Sequence, residues 1–560
     1  MPTSDQFAAA ELARLCAAKG IRHAVISPGS RSAPLVIAFS KQEGIECLQV
    51  IDERSAAFFA LGMAQQLHAP VALICTSGSA VLNYGPAIAE AFYQRIPMLV
   101  ITADRPEEWV DQGEGQAIRQ QNVLALHMKR SVQLPRLLGD DLAQWHCGRL
   151  INEAIDATLL PVPGPVHVNV PFAEPLYGIT EETATSRFIA PIMTESFILP
   201  EHARWLIGQL SACKKVMVLA GQGVWSEGLR EQMLHLATMP QVTVHTEATS
   251  NLDEPAFITC IDRVIEAVNN KNEKDLRPDL LITFGGAVVS KRIKGLLRKW
   301  KPAQHWNIDL GQRHYDTYQS LTHDIAVSPE IFFAQIAPQV QPNESIYGEV
   351  WKMMDVSTRG MHTRSVADAP FCDLTVFNTL LDRIPGDSAV HLANSTPARY
   401  VQLFDRVRGH RWFSNRGTSG IDGCTSTAVG AAFATQQLTT LITGDTAFCY
   451  DSNAFWNKQL SPLLKVIVID NDGGNIFRVI EGPDKDPELL PWFDAPHGRN
   501  IEQLVRSFNL SYYHANDQHS LEAGIDKLYT QHEAPAVLHI STDRFTSPKV
   551  LREYFKRLSQ

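Results

Sequence analysis

Short runs of apolar, largely β-branched residues punctuate the whole chain: HAVIS (23–27), VALICTS (71–77), MLVITAD (98–104), VHVNV (166–170), VMVLAG (216–221), LLITFGG (280–286), AVHLANS (389–395), TTLITGD (439–445), VIVIDND (466–472) and VLHIS (537–541). Each run is continuously apolar rather than alternating, and a stretch of helical length separates it from the next. Continuous apolarity means burial on both faces, so the pattern predicts parallel strands covered by helices on either side. The fold class is therefore α/β, built of doubly wound parallel sheets.

Two polar, proline-containing stretches, 180–200 and 338–346, interrupt the alternation as linkers do. They divide the chain into three consecutive domains at about 1–180, 195–337 and 355–560. Such a length exceeds one core and fits about three to four domains.

In parallel sheets, ligands gather at the carboxyl ends of the strands. Those ends read SPGSRS (27–32), DER (52–54), TSG (76–78), TADRP (102–106), AGQG (220–223), FGG (284–286), ANS (393–395), SNRG (414–417), GD (444–445) and DNDGG (470–474). In the central domain AGQGVWS begins like a dinucleotide fingerprint, but Ser226 stands where the third glycine belongs. The central domain is expected to be structural and to hold no cofactor.

Composition changes the picture mainly by exclusion. The net charge of −10 argues against nucleic acid or an anionic membrane as partner, since both require a basic field. Anionic ligands must then be met by local arginines. No apolar stretch approaches the ~18 residues of a membrane span. The first residues, with Asp5 and Glu11, read as a capped helix rather than a leader. Nine cysteines without a CxxC pair suit free thiols in a reducing cytoplasm.

The stretch VIVIDNDGGNIF (466–477) concentrates the chemistry. Its strand should lie beside the one ending Gly444-Asp445-Thr446. A small hard cation bridging a diphosphate takes octahedral oxygen ligands. The Asp445 carboxylate, the Asn471 side chain and the Gly473 carbonyl would supply them. Gly474 would let the chain pass close to the anion, and a helix starting after Thr446 would point free N–H groups at phosphate.

This pair of strand ends resembles the metal-diphosphate signature of thiamine diphosphate enzymes, usually GDG…NN, with Thr446 for the third glycine and Asp470-Asn471 for the paired asparagines. The resemblance implies thiamine diphosphate and Mg²⁺ or Mn²⁺ as cofactors. It also implies a pyrimidine-binding domain first, a central domain, and a diphosphate- and metal-binding domain last. Glu53 then corresponds to the acid that drives the aminopyrimidine to its imino form, and Ile421 to the bulky residue beneath the bent cofactor. Ser395, Ser419, Gly444, Thr446, Ala447 and Ile476 join Glu53, Asp445 and Asn471 as cofactor contacts.

SPGSRSAPL (27–35), GQAIRQ (115–120), PFAEPLYG (171–178), SKR (290–292), SNRGTSGIDG (414–423) and GGNIF (473–477) are similar to signature segments of one branch, the 2-succinyl-5-enolpyruvyl-6-hydroxy-3-cyclohexene-1-carboxylate synthases of menaquinone biosynthesis. That branch implies decarboxylation of 2-oxoglutarate and 1,4-addition of the succinyl carbanion equivalent to isochorismate. By this likeness Ser30, Arg31, Arg105, Gln116, Lys291 and Arg292 face isochorismate or the adduct. Ser395, Arg399 and Arg416 grip carboxylates nearer the thiazolium, and Ile476 and Phe477 wall the site. Arginine suits such work because its fork meets a carboxylate with two parallel bonds. Gly115 stands where relatives often carry Asn.

No histidine is placed as a general base. Residues 481–500 form a long loop that reads as a lid or as a packed surface loop. Because Glu53 and Asp445 belong to different domains, the cofactor would lie across an interface. In this superfamily that interface joins two chains, giving a homodimer or dimer of dimers. The alternatives are another thiamine enzyme, such as an acetolactate synthase or 2-oxoacid decarboxylase, a dinucleotide oxidoreductase, or a non-catalytic protein on the same scaffold.

Overall fold

The computed structural model describes residues 2–181, 185–311, 314–406, 409–479, 482 and 488–559. Three parallel sheets follow one another along the chain, each with helices on both faces. The first has six strands: His23–Ile26, Glu46–Gln49, Val71–Cys75, Met98–Asp104, Arg130–Gln133 and Pro165–Pro171. The second has five, between Val216 and Ile325. The third has six: Ala389–Leu392, Arg411–Ser414, Thr439–Gly444, Leu464–Asp470, Ser511–Ala515 and Ala536–Ser541. This is the α/β, doubly wound, three-sheet architecture of thiamine diphosphate enzymes.

The strands form for the reason their apolarity suggests. Every residue of Val71–Cys75, Val216–Ala220 and Leu280–Phe284 is buried. In the first sheet alternate side chains feed two cores: Val71 and Leu73 face one, Ala72 and Ile74 the other.

One of those cores does not stop at the first sheet. It continues through Ala428, Val429 and Ala432 to Val466 and Val468 of the third. The bridge is a helix pair, Glu53–Leu67 against Cys424–Thr435, both rich in small residues. A Cβ on Gly62 would stand 2.0 Å from the Thr427 carbonyl oxygen, and one on Gly430 2.0 Å from that of Phe59. The two backbones thus approach as closely as glycine allows.

The middle unit is tied to the third by buried polar groups. Arg263 bonds Asp355 and Asp405, each at 3.0 Å, and Asn251 exchanges hydrogen bonds with the backbone of Trp412. Arg95 of the first unit meets Asp309 of the middle one at 2.6 Å. Where the three units converge, a cavity of about 630 Å³ opens, lined among others by Arg95, Gln222, Trp225, Asp309, Trp412 and Arg416.

The opening helix differs in one detail from its sequence expectation. Phe7–Ala18 is helical, but Asp5 is not its cap: its N–H donates to the Gly178 carbonyl, and the preceding Gln6 makes no capping bond. Thr3–Ser4 pairs antiparallel with Ile179–Thr180, which sets Asp5 in the connection to that short ladder and leaves Gln6, with no side chain suited to capping, at the helix start.

Candidate active site

In the third sheet the strands ending at Ser414, Leu392, Gly444 and Asp470 are consecutive neighbours. With about 4.8 Å between adjacent strands, their carboxyl ends form a row about 15 Å long. Arg416 follows the first, Ser395 the second, Asp445 the third and Asn471 the fourth.

Gly444 pairs in register with Ile469, so Asp445 and the Asp470–Asn471 turn come side by side. Asp445 is buried, and its carboxylate is heavily used. It accepts from Thr446 N at 2.6 Å and from Gly473 N at 2.7 Å. The helix begins at Asp445 itself rather than after Thr446, and runs only to Tyr450. Ala447 is buried in that turn, Thr446 partly so.

His497 Nε2 lies 3.2 Å from Asp445 Oδ2, near enough for an ion pair but not aligned as a hydrogen bond. Burial pushes the Asp445 carboxyl up, against the pull of His497 and the Gly473 amide. The Asp445 carboxylate beside it in turn raises His497 above the ordinary histidine range.

The three turn residues point to different neighbours. Asp470 accepts from His539 at 2.8 Å. Asp472, at φ +57°, pairs with Arg544 at 2.8 Å. Asn471 is buried, its amide nitrogen donating to the buried Asp373 at 3.1 Å. Gly474 N donates to the Asp494 carbonyl at 2.6 Å, and the Phe477 and Phe493 rings lie tilted against each other with centres 5.6 Å apart. Ile476 is half-buried beside it. Of the loop 481–500, residues 481 and 483–487 lie outside the described residues; Leu490–Asp494 is a short helix against the Gly473 turn.

The arginine pair sits at the other end of the row. Arg416 donates to Asn394 Oδ1 at 2.7 Å, while Asn394 Nδ2 bonds the carbonyls of Asn415 and Gly420, bracing that loop. Burial lowers the pKa of Arg399, and the charge of Arg416 lowers it further, with only Asp262 opposing. Burial likewise lowers Arg416, against Glu247 and Glu90. Among the described residues neither guanidinium has a direct ion pair, so the two positive charges are concentrated where an anion would relieve them.

Ser395 stands at φ +73° and Ser419 at φ +64°. Side chains adopt such conformations at a cost of about 1–3 kcal/mol, and they cluster at functional sites. Ile421 is half-buried in the same loop. Glu90 of the first unit pins this loop from outside, accepting from Gly417 N at 2.6 Å, and from Thr418 N and Oγ1, each at 2.7 Å.

Lys291 and Arg292 begin the helix Lys291–Trp300 of the middle unit. Arg292 bonds Glu266 and lies 3.9 Å over the Phe555 ring. Lys291 is exposed.

A separate set occupies the first sheet. Arg31 is buried, donating to the Phe172 carbonyl at 3.0 Å and meeting Glu174 at 3.1 Å. Burial lowers its pKa and nearby Arg105 adds to the effect. Arg105 pairs with Glu114 at 3.2 Å. Ser30 and Gln116 are exposed, Gln116 at φ +58° against Gly78. Glu53 starts its helix with Asp52 as cap and receives a hydrogen bond from Asn83 at 3.3 Å.

Within one chain these sets stay apart. Among the described residues no hydrogen bond or ion pair joins Ser30, Arg31, Glu53, Arg105 or Gln116 to the third-sheet row. Arg54 touches Tyr450, the last residue of the helix whose first is Asp445.

Asn394, Glu90, Asp373 and His497 were not among the residues singled out from sequence. Asn394 was within reach, being the middle of ANS; the others carry no local signal.

The donor types fit a small hard cation beside an anion: one carboxylate, one amide oxygen and the Gly473 carbonyl, which also accepts from Asn475 N at 3.0 Å. Among the described residues no three His, Cys, Asp or Glu gather as a metal cluster.

Comparison with known proteins adds to this geometry. Residues 8–124 match the family model of the thiamine pyrophosphate enzyme N-terminal TPP binding domain. A 2-succinyl-5-enolpyruvyl-6-hydroxy-3-cyclohexene-1-carboxylate synthase of Flavobacterium johnsoniae is 40% identical over 98% of this chain and 99% of the relative. Its namesake in Flavobacterium psychrophilum is 41% identical over 98% of both chains, and that of Porphyromonas gingivalis 38% over 99% and 98%. At such identity over the full length, the chain belongs to the 2-succinyl-5-enolpyruvyl-6-hydroxy-3-cyclohexene-1-carboxylate synthase family of thiamine diphosphate enzymes.

Proposed function

We propose that the protein decarboxylates 2-oxoglutarate and adds the resulting succinyl unit to isochorismate in a 1,4 fashion, releasing CO₂ and forming the product after which its family is named. Bound thiamine diphosphate would supply the carbon nucleophile and the electron sink for decarboxylation. Asp445, the Asn471 side-chain oxygen and the Gly473 carbonyl hold Mg²⁺ or Mn²⁺ against its diphosphate. Thr446, Ala447 and Gly444 line that end, Ser395, Ser419 and Ile421 the middle, and Glu53 bonds the pyrimidine nitrogen.

The observation that carries this reading is the Arg399–Arg416 pair at one end of a row whose other end holds Asp445 and Asn471. A dicarboxylic substrate needs cations just there, and a decarboxylase for small apolar acids does not. Ser30, Arg31, Arg105 and Gln116 form a second anion-receptive set for isochorismate, with Lys291 and Arg292 at its margin and Ile476 and Phe477 as the apolar wall.

In this reading the first-sheet set meets the third-sheet row of a second copy, in a homodimer or dimer of dimers. Glu53 favours this: its surroundings expose Ile51, 39% accessible in the single chain, and Leu82, Tyr450 and Trp456, each about half accessible. The first domain (1–180) is then pyrimidine-binding, the central one (195–337) without cofactor, and the last (355–560) diphosphate-binding. A cytoplasmic location suits the nine free cysteines. No helix among the described residues is long and apolar enough to cross a membrane.

The test is incubation of the protein with thiamine diphosphate, Mg²⁺, 2-oxoglutarate and isochorismate. CO₂ release should match isochorismate loss mole for mole. CO₂ released without isochorismate loss would favour a simple decarboxylase. Sedimentation as a fully active monomer would refute the shared site.

A further inference from the structure

Asp373 is 1% exposed and lies 98 residues before Asn471, at the first position of the helix Asp373–Arg383. Its carboxylate is fully engaged on one side: Oδ1 accepts from Thr542 Oγ1 at 2.7 Å, and its own N–H is fixed by Ser547 Oγ at 3.0 Å. Its other oxygen, Oδ2, receives the Asn471 side-chain nitrogen at 3.1 Å.

An ionised carboxylate only accepts hydrogen bonds, and an amide has one accepting and one donating end. Rotating the Asn471 amide by half a turn would set its oxygen against the Asp373 oxygens, two acceptors without a proton between them. The flanking acids cannot substitute, since Asp470 is held by His539 and Asp472 by Arg544. Asn471 is buried, so water does not compensate for the lost bond.

We propose that Asp373 is a positioning residue: by holding the Asn471 amide nitrogen, it turns the Asn471 oxygen toward Asp445 and makes it a metal ligand. The inference rests on the proposed role of Asn471 at the cation. It goes further by assigning the orientation of that ligand to a carboxylate on a different element, which touches neither cofactor nor substrate. Partners behind metal ligands commonly matter 10- to 100-fold in affinity.

The test is Mn²⁺ affinity, read from the electron paramagnetic resonance of free Mn²⁺ in the presence of saturating thiamine diphosphate. Asp373→Asn should weaken Mn²⁺ by about 10- to 100-fold, because an amide there offers a donor as readily as an acceptor. Thr542→Val removes the other bond to the same carboxylate. It should lower thermal stability while leaving Mn²⁺ affinity within about twofold, which separates positioning from packing. Asn471→Ala should weaken Mn²⁺ at least as much as Asp373→Asn.

Wild-type affinity in Asp373→Asn alongside loss in Asn471→Ala would overturn the proposal and leave the metal reading standing. Wild-type affinity in Asn471→Ala would overturn both. Equal loss in Thr542→Val would reduce Asp373 to a packing role and overturn the proposal. Should Asp373→Asn not fold, a crystal structure of the wild-type holoenzyme with Mn²⁺ decides. Asn471 Nδ2 on Asp373 with Oδ1 on the metal supports the proposal, and the reverse orientation refutes it.

Discussion

The first and third sheets are topological twins. Counted within each sheet, both have the strand order 2-1-3-4-6-5, all parallel. Yet at the end of the third strand the first sheet carries Thr76-Ser77-Gly78, without charge, where the third carries Gly444-Asp445. At the end of the second, the first sheet gives Glu53 and the third gives Arg416. Topology decides where reactive ends converge, and the residue placed at each end decides the chemistry. The helix following each second strand is the one that packs on its twin, so the two sheets share a core while their strand ends carry different groups.

The strongest way to break this division of labour is to exchange its acids. Glu53→Gln should lower turnover by about 10²- to 10⁴-fold, the range for a lost proton-transfer partner, with Mn²⁺ and thiamine diphosphate binding largely kept. Asp445→Asn should instead abolish Mn²⁺ binding, and cofactor binding with it. Titration of cofactor and metal against each variant, beside steady-state rates, checks both. If Glu53→Gln lost cofactor and Asp445→Asn only rate, the assignment of the two sheets would be reversed.

A smaller effect tests the arginine end of the row. Arg416→Lys keeps the charge but loses the fork, and hydrogen bonds to charged groups are worth about 1.5–3 kcal/mol each. KM for 2-oxoglutarate should rise by about 10- to 100-fold with little change in Mn²⁺ affinity. A matching change on the twin, Arg105→Lys, should act on KM for isochorismate. An identical pattern of KM changes in both would deny that the two sheets divide the substrates.

The fold was legible where strands are central and obscure where they are edges. All ten strands marked by continuous apolar runs are present. The strands left unmarked include both edges of every sheet: Glu46–Gln49 and Arg130–Gln133, Val242–His245 and His323–Ile325, Arg411–Ser414 and Ser511–Ala515. Glu46–Gln49 and Arg130–Gln133 have one neighbour and a more exposed face, so they lose the unbroken apolar run and read as ECLQ and RSVQ, whereas Val242–His245 is buried throughout and its VTVH is interrupted by a polar residue. Gln304–Ile308 was hidden as well, because QHWNI fills an interior place with polar residues that bond one another: His305 with Thr283 at 2.9 Å, and Asn307 with Thr283 at 3.2 Å.

The same division holds for the site. Asp445, Asn471 and the arginines stand in short motifs at strand ends, where sequence spacing reports spatial proximity. Glu90 and Asp373 act on those motifs across long separations of chain, through single side chains on ordinary helices. Their sequences, GPAIAEAFYQ and DLTVFNTLLDR, carry only helical periodicity, so nothing local distinguishes them from surface acids.

The helix pair joining the twins supplies a third test. Gly430→Ala would drive its Cβ into the Phe59 carbonyl oxygen, 2.0 Å away, and should cost about 1–3 kcal/mol, read as a lower urea midpoint. Gly208→Ala, in the helix Pro200–Ala212 with no atom within 4 Å of the new Cβ, should stabilise by about 0.5–1 kcal/mol. Responses of opposite sign to one methyl group would locate the strain in the contact between the first and third units. A neutral Gly430→Ala would mean that those units yield to one another.

The middle sheet, 2-1-3-4-5 in its own order, sharpens the comparison by carrying a strand-end acid of another kind. Glu247 is 1% exposed and accepts from the backbone N–H groups of Val289 at 2.5 Å and Ser290 at 2.7 Å. Burial pushes its carboxyl up to about 7, with Asp262 adding to the rise, while the two amides and Lys294 oppose it. The folded state therefore holds this proton more tightly than the unfolded chain does. Its contribution to stability is complete below the unfolded value near 4.5, and drains away as pH rises through about 7. Glu247→Gln has no proton to lose and retains one acceptor oxygen. The wild type should exceed the variant in thermal midpoint most at pH 5, and the gap should narrow steadily toward pH 7.5. Reading the difference between the two proteins cancels the titration of every other group. A gap that stayed constant would show Glu247 ionised throughout, its two amide bonds outweighing burial. The middle sheet would then hold a permanently charged strand-end carboxylate.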